Sequence, residues 1–289
     1  MDTVKCEALL HSVDGGSFSA AAERMGYTPS GITRMIDALE VEVGFPLVNR
    51  KRSGVTPTKE GADLMPLIRA FVQSGKNIAE HAATIKGLVE GNISIGTYFS
   101  IAAQWLPSVI RAFQDDHPGV SISMVEAGNA ELAHLMAESR IDCCFTNRRL
   151  ATGDWVPLAK DSIVAWIPTD WPEAELDAFP LNQMENKPFI MPLPGNKNDV
   201  ETLIAEHRIH VDERLTANDG YTAWRMVEQG LGMSLNNYLM GCTWQGDVRV
   251  MPLDPPQEIE LGISVPYLQA ASPATRAFIE YATRIVPTL

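Results

Sequence analysis

Apolar residues in the first 45 positions recur with the spacing of three short helices. The spacing predicts a first helix over residues 2–13, and Ser17 stands where the N-cap of a second helix, FSAAAERM, belongs. Thr28 and Pro29 then open a third helix that runs to about Val43. Two short helices joined by a glycine-containing turn are typical of a helix-turn-helix, whose second helix enters the major groove of DNA.

The start of the third helix and the segment after it carry the candidate DNA contacts. Arg34 is a long donor that can make a bidentate contact with guanine. The segment LVNRKRSGVTPTKEG has two short strand-like pieces around Ser53 and Gly54, which predicts a wing that presents cations to phosphate. The predicted DNA-binding residues are Ser17, Thr28, Ser30, Gly31, Thr33, Arg34, Arg50, Lys51 and Arg52. The alternative for the helix start is an ordinary solvated terminus.

A long helical pattern follows from Thr58 to about Val89. Its apolar positions are spaced alternately four and three, which is the spacing of a coiled-coil seam. The seam positions are Leu64, Ile68, Phe71, Gly75, Ile78, Ala82, Ile85 and Val89. The pattern predicts a coiled-coil helix; the alternative is an amphipathic helix packed on its own domain.

After Gly91 short β-branched runs alternate with helical stretches. The predicted strands are 93–97, 120–126 and 142–146, and the predicted helices are about 101–115 and 129–138. This βαβαβ order indicates a parallel sheet. A second lobe begins near Ser162, and SPATRAFIEYATRIV predicts a closing helix. The fold class is therefore α/β.

The charge of the chain is unevenly distributed. The net charge of -13 argues against DNA binding, but residues 91–289 hold 13 basic against 25 acidic residues, whereas residues 24–59 hold six basic against three acidic ones. A local basic patch therefore remains for phosphate contact. No apolar run approaches the roughly 18 residues of a membrane span, and acids stand where a signal peptide carries bases, so we expect a cytoplasmic protein with no membrane contact.

Residues 16–61, GSFSAAAERMGYTPSGITRMIDALEVEVGFPLVNRKRSGVTPTKEG, closely resemble the N-terminal domain of LysR-type transcriptional regulators without a gap. Two departures are Gly31, where the family usually has alanine, and Val48, where phenylalanine is common. The resemblance implies an N-terminal winged helix-turn-helix, a long linker helix and a two-lobed periplasmic-binding-protein-like α/β effector domain. The expected divisions are 1–58 for DNA binding, 59–90 for the linker and dimerisation helix, and 91–289 for the effector domain, with lobe I at about 91–161 and 266–289 and lobe II at about 162–265.

The same resemblance implies partners. It predicts a homodimer or homotetramer on an inverted-repeat promoter site in double-stranded DNA, contact with RNA polymerase, and a small-molecule effector in the interlobe cleft that modulates DNA binding or bending. No cofactor is expected. Helix N-termini and polar residues around the cleft favour a polar or aromatic acid as effector. By family position the effector residues are Ser100, Ile101, Asn129, Thr146, Asn147, Asn196, Asp219 and Tyr221; for each, a helix cap or turn role is the alternative.

Motifs for catalysis are absent from the sequence. It contains no GxSxG, no HExxH, no P-loop and no GxGxxG after a strand, so we predict no catalytic and no metal-binding residues. The four cysteines lack zinc spacing and are expected to be buried free thiols, with a redox switch as the alternative. The alternatives to a regulator are a soluble solute-binding protein and an enzyme that uses the same bilobal cleft.

Overall fold

The computed structural model describes residues 1–51, 54–85, 91–193 and 198–289. The helices are α1 Thr3–Asp14, α2 Phe18–Met25, α3 Pro29–Val43, α4 Lys59–Ile85, α5 Phe99–Gln104, α6 Leu106–Asp116, α7 Asn129–Ala137, α8 Asp199–His207, α9 Gly220–Glu228, α10 Tyr238–Gly241 and α11 Pro273–Ile285. The strands are β1 Val48–Lys51, β2 Gly54–Pro57, β3 Gly91–Thr97, β4 Val120–Glu126, β5 Cys143–Asn147, β6 Asp154–Pro168, β7 Phe179–Pro180, β8 Pro188–Pro192, β9 Asp212–Ala217, β10 Ser234–Asn237 and β11 Val248–Val265.

The N-terminal helices α1–α3 and the antiparallel pair β1–β2 form a winged helix-turn-helix, which we call the head. The third helix begins and ends as predicted, because Thr28 caps it, Pro29 occupies its first turn, and Gly44 adopts the left-handed conformation at its end. The fully buried Leu9, Ile32 and Leu39 pack α1 against α3. The exposed start of α3 is thereby fixed on a rigid core.

The linker helix α4 divides its apolar residues between two surfaces. Met65, Ile68 and Val72 are buried in the core of the head, whereas Phe71 and Ile78 are exposed. Ile68 was predicted on the coiled-coil seam, and that assignment is wrong, because the first half of α4 packs on its own domain. The seam position Val89 lies outside the described residues.

Six strands of the effector region form a sheet in the order β10-β6-β11-β5-β3-β4, and β7 pairs with β11 beside it. Strands β8 and β9 form a separate two-stranded parallel sheet. Strand β3 pairs in parallel with both β4 and β5, which confirms the predicted βαβαβ unit. The predicted helix at about 101–115 is two helices, α5 and α6, that meet at Trp105. Pro107 stands in the first turn of α6, where its missing N–H costs nothing, and it could not have continued α5.

The long strands β6 and β11 run through both lobes. Lobe I carries β3–β5, α5–α7 and α11, and lobe II carries β8–β10 and α8–α10. The register of β11 against β6 shifts between Pro252 and Gln257, and residues Leu261–Ser264 pair with β5 of lobe I. The second crossing therefore lies near that shift, so the predicted end of lobe II at 265 is too late.

Cysteine burial follows the prediction at three of four positions. Cys6, Cys143 and Cys144 are buried free thiols, but Cys242 is exposed, because it follows the short helix α10 at the surface of lobe II. Within the described part of the chain, no helix is both long enough and apolar enough to cross a membrane.

Candidate DNA-binding surface and interlobe cavity

The hydroxyl groups at the start of α3 are engaged in local hydrogen bonds. Thr28 Oγ1 accepts from the Gly31 backbone N–H at 3.1 Å and lies 3.1 Å from Ser30 Oγ, and Thr33 Oγ1 donates to the Pro29 carbonyl at 2.9 Å. Arg34 is exposed and makes no ion pair or hydrogen bond within the described residues. Its guanidinium is therefore available to DNA.

The wing cations differ in how much of their charge is available. Arg50 Nη2 lies 2.6 Å from Asp37 Oδ1 and 2.8 Å from Glu40 Oε2, and its guanidinium lies 5.5 Å from the centre of the Phe18 ring. Lys51 is exposed and has no ion pair among the residues that the structure describes. Arg50 therefore serves mainly to hold the wing against α3. Arg52 lies outside the described residues.

Glu40 joins the wing to α3 and was missed among the predicted site residues. Its Oε1 accepts the backbone N–H groups of Leu47 at 2.7 Å and Val48 at 3.1 Å, and its Oε2 accepts from Arg50 at 2.8 Å. Buried N–H groups need such acceptors. Glu40 therefore positions the wing relative to the helix, without itself facing DNA.

A cavity of about 330 Å³ lies between the two lobes. The first turns of α5, α7, α8 and α9 all contribute to its wall, which is the usual place for ligands in α/β folds. The lining consists of Tyr98, Phe99, Ser100, Glu126, Ala127, Gly128, Asn129, Pro192, Leu193, Asn198, Asp199, Val200, Asn218, Asp219, Gly220, Tyr221, Asn236, Asn237, Met240 and Leu261. The volume suits a small organic molecule.

Two hydrogen-bonded pairs lie at the wall of the interlobe cavity. Asn147 Nδ2 of lobe I donates to both oxygens of Asp199 in lobe II, at 2.8 and 3.0 Å. Tyr98 Oη lies 2.7 Å from Thr146 Oγ1. Burial raises the pKa of Asp199, although the hydrogen bonds from Asn147 oppose this effect. Burial also raises the pKa of Tyr98, so its hydroxyl stays protonated. The Asn147–Asp199 pair links the lobes directly.

Aromatic side chains form a second link between the lobes. The ring of Phe99, in lobe I, lies 6.4 Å from that of Trp244 in lobe II, and the ring of Tyr221 lies 5.4 Å from that of Trp244. Gln104 Nε2 donates to Thr243 Oγ1 at 3.3 Å in the same region. A ligand that changed the position of either ring would therefore change how the lobes meet.

Family models match both parts of the chain. The model described as LysR substrate binding domain matches residues 86–286, and the model described as bacterial regulatory helix-turn-helix protein, lysR family, matches residues 5–62. The chain belongs to the LysR family of transcriptional regulators. As a LysR-type regulator it has a DNA-binding domain and an effector-binding domain, and it is not an enzyme.

Relatives of this LysR regulator match over nearly the whole chain. It is 24% identical to the uncharacterized HTH-type transcriptional regulator YvbU of Bacillus subtilis, over 99% of both chains. It is 26% identical to the probable HTH-type transcriptional regulator LrrA of Synechococcus elongatus, over 99% of this chain and 98% of that one. Full-length OxyR from Pseudomonas aeruginosa has the same fold, with a TM-score of 0.81 at 19% identity over 99% and 94% of the chains.

The structure of the LysR regulator separates the predicted effector residues into three groups. Ser100, Asn129, Asp219 and Tyr221 line the cavity. Thr146 and Asn147 are buried behind its wall, where they hold Tyr98 and Asp199. Ile101 is fully buried in the apolar core and does not line the cavity. Ile101 directly follows Ser100, which lines the cavity, but its aliphatic side chain packs into the core. Asn196 lies outside the described residues.

Besides Thr28 at the start of α3, two other predicted residues act as α-helix caps in this LysR regulator. Ser17 Oγ accepts from the Ala20 N–H at 3.1 Å, at the start of α2. Asp219 accepts from the Thr222 backbone N–H at 2.8 Å and the Thr222 hydroxyl at 2.7 Å. The hydroxyl and backbone hydrogen bonds from Thr222 hold the pKa of Asp219 below its ordinary value. Asp219 is therefore a carboxylate that caps α9 and lines the cavity at once.

The carboxylates Glu126 and Asp199 were missed as cavity residues. Glu126 is the last residue of β4, and Asp199 is the first of α8. A signal for both existed in the chain, because acidic residues at the carboxyl end of a parallel strand or at the amino end of a helix face the cleft of this fold. Asp199 follows closely after the predicted Asn196.

Proposed function

We propose that this LysR regulator binds an inverted-repeat promoter site in double-stranded DNA as a homodimer or homotetramer. The proposed ligand of the interlobe cavity is a small molecule that modulates DNA binding or bending. The observation that carries the DNA part is the start of α3, where Arg34 is exposed without an internal partner beside the capped, rigid Thr28 turn. Base contacts from a fixed helix specify sequence, whereas Lys51 on the wing contributes sequence-independent phosphate attraction. We propose the other predicted DNA residues as phosphate contacts or as supports for this surface.

Pairing of two heads is supported by the outer surface of α4. Leu67 is 66% exposed, Phe71 39% and Ile78 71%, and these residues recur at helical spacing on one side. Such a row of large apolar side chains on a helix that is already anchored to the head favours contact with a second copy. Two heads related by a two-fold axis then require an inverted-repeat site.

Coupling to the effector is supported by the contacts across the cavity. The Asn147–Asp199 and Phe99–Trp244 contacts join the lobes where a ligand would lie. A ligand that binds one arrangement of the lobes better shifts the population of that arrangement. The second half of α4 contacts lobe I, where Asn77 Nδ2 donates to the Ala270 carbonyl at 2.9 Å, so a change in the lobes can reach the linker.

The remaining parts of the proposal concern place and partners. The proposed units are 1–58, 59–90 and 91–289, with the second lobe crossing moved to the register shift in β11. Action in the cytoplasm follows from the need to reach the chromosome. Contact with RNA polymerase is proposed as the means by which the DNA-bound protein affects transcription.

Fluorescence anisotropy on the protein's own promoter DNA and on scrambled DNA, across a salt series, tests the DNA part. We expect at least roughly a thousandfold preference for the promoter. Arg34→Ala should remove most of that preference. Lys51→Ala should weaken the binding of both DNAs equally. It should also reduce the slope of log affinity against log salt concentration by about the value of one phosphate contact.

The matched control is Arg111→Ala, which removes the same charge from a side chain that is 81% exposed in lobe I. It should leave both affinities unchanged. Equal weak binding of the two DNAs by the wild-type protein would contradict the proposal. Loss of preference in Arg111→Ala would show that net charge, rather than the start of α3, determines the affinity.

A further inference from the structure

The described wall of the interlobe cavity contains three carboxylates and no basic side chain. Glu126, Asp199 and Asp219 all line it, and no Lys, Arg or His is among the lining residues that the structure describes. The sequence-based expectation of an acid as effector therefore lacks a basic side chain in the described wall to receive it. An anion would face repulsion from three sides.

The three carboxylates are not neutralised by described cations. Asp219 is bonded to the uncharged Thr222, and Asp199 to the uncharged Asn147. The charge of Arg149 acts on Asp199, but Arg149 Nη2 is itself 3.6 Å from Glu206 Oε2. Glu126 is exposed and has no ion pair within the described residues. Their charge is therefore directed at the cavity and its solvent.

Helix N-termini offset this charge in part. Each carries roughly half a positive charge, but two of those at the cavity are already capped, α9 by the Asp219 carboxylate and α8 by the Asn198 side chain. A capped N-terminus has fewer free N–H groups for an incoming anion. The N-termini of α5 and α7 have no side-chain cap, but four such half charges amount to roughly two positive charges. Three carboxylates exceed that sum, so the balance of the described wall is negative.

Aromatic rings give the second, independent indication of the ligand. Tyr98, Phe99 and Tyr221 line the cavity, and Phe99 and Tyr221 are 43% and 54% exposed. Trp244 packs against both of the exposed rings. The faces of such rings attract cations, most strongly where carboxylates are near. Rings also accept the apolar body of an organic ligand.

We infer that the interlobe cavity takes an organic cation, an amine with an apolar or aromatic body, in preference to an organic acid. The ammonium group would lie among Glu126, Asp199 and Asp219, and the body against Phe99 and Tyr221. The inference rests on the proposed function of the cavity as the effector site. It names the ligand class that this chain's own residues select.

Matched pairs of probes test the inference on the full-length protein. Each amine is compared with the acid that carries a carboxylate in place of each ammonium group on the same apolar chain: phenethylamine with hydrocinnamate, butylamine with valerate, and putrescine with adipate. Binding is followed by tryptophan fluorescence, because Trp244 contacts the two exposed cavity rings. We expect at least one amine to bind at least tenfold more tightly than its paired acid. Absence of such a preference in all three pairs would overturn the inference.

Variants of the wall place the binding in the cavity. Glu126→Gln and Asp219→Asn together should weaken the preferred amine at least tenfold, and Asn at position 219 can still cap α9. Glu280→Gln, an exposed acid on α11, is the matched control and should change nothing. Amine binding that survives the double substitution would contradict the assignment of these carboxylates.

Lys197 precedes the lining residue Asn198 and lies outside the described residues, so a separate variant tests the effect of its charge. The inference predicts that Lys197→Met leaves amine affinity unchanged or raises it. An acid that binds the wild-type protein and is lost in Lys197→Met would overturn the ligand class while leaving the cavity as effector site. A ligand that alters promoter binding equally in the wild type and in the Glu126 and Asp219 variants would instead contradict the proposed function of the cavity.

Discussion

Replacing Glu40 with alanine should loosen the wing from α3. The substitution removes the acceptor of two backbone N–H groups, on Leu47 and Val48, which are 0% and 5% exposed. Each unsatisfied buried donor costs about 1–3 kcal/mol. The Glu40 side chain is 16% exposed, so water partly replaces it. We therefore expect a total of about 2–4 kcal/mol, with Arg50 losing one of its two carboxylates as well.

Amide hydrogen exchange of residues 45–51 measures this loss. A cost of about 2–4 kcal/mol corresponds to opening that is roughly 30-fold to 1,000-fold more frequent. Glu40→Gln keeps one acceptor oxygen and should show a smaller increase. Promoter affinity should fall in the same order, because the wing no longer holds Lys51 in a fixed position.

Glu42→Ala is the matched control for this prediction. It removes the same charge from the same helix, but Glu42 contacts Lys5 Nζ at 2.6 Å and accepts no backbone N–H of the wing. Exchange near the wing should remain at the wild-type rate in that variant. If Glu40→Ala also left the exchange of Leu47 and Val48 within about threefold of wild type, the role assigned to Glu40 would be wrong.

Three further perturbations have defined outcomes. Gly31→Ala should slow amide exchange in α3 by at most about fivefold, because alanine favours helix by about 1 kcal/mol, whereas the tight 3.3 Å approach of its Cβ to Thr28 Oγ1 opposes this gain; faster exchange would contradict this. Ile78→Glu should lower the oligomer mass in sedimentation, since it places charge on the exposed row of α4. Burial raises the pKa of Asp161 to about 6, so the folded protein holds this proton more tightly than the unfolded chain does. The resulting stabilisation is fully present below about pH 4 and is lost as the pH rises through about 6. Urea unfolding at pH 5 and pH 7.5 should then show a decline in stability that is smaller in Asp161→Asn by about 1.4 kcal/mol, because only the interval from pH 5 to about 6 contributes. Equal declines would refute this assignment; Asp199 is a charged group that also acts on Asp161.

Most of the head could be predicted from the sequence because its signals are local. The caps Ser17 and Thr28 act on N–H groups three residues away, and Pro29 and Gly44 restrict the backbone at their own positions. The order of helices and strands in the effector region followed from periodicity in the same way. These features need no knowledge of distant neighbours.

Local signals could not predict which site residues already have a partner inside the protein and which are available to a ligand. Arg34 and Arg50 are equally basic in the sequence, yet Asp37 and Glu40 engage Arg50 and leave Arg34 available. Ile68 fits the seam periodicity, yet it is buried against the head. In both cases the deciding contact comes from another element.

The sequence by itself determined the family, the element types, the caps and the concentration of acidic charge in the C-terminal two-thirds, because each depends on composition or on residues within a few positions. Tertiary structure decided which carboxylates share a cavity: Glu126, Asp199 and Asp219 follow three different elements and meet where those elements end at one cleft. Charge interactions depend on distance in space, and separation along the chain does not give that distance. The negative charge of the cavity wall therefore follows from the tertiary structure, which brings the three carboxylates together.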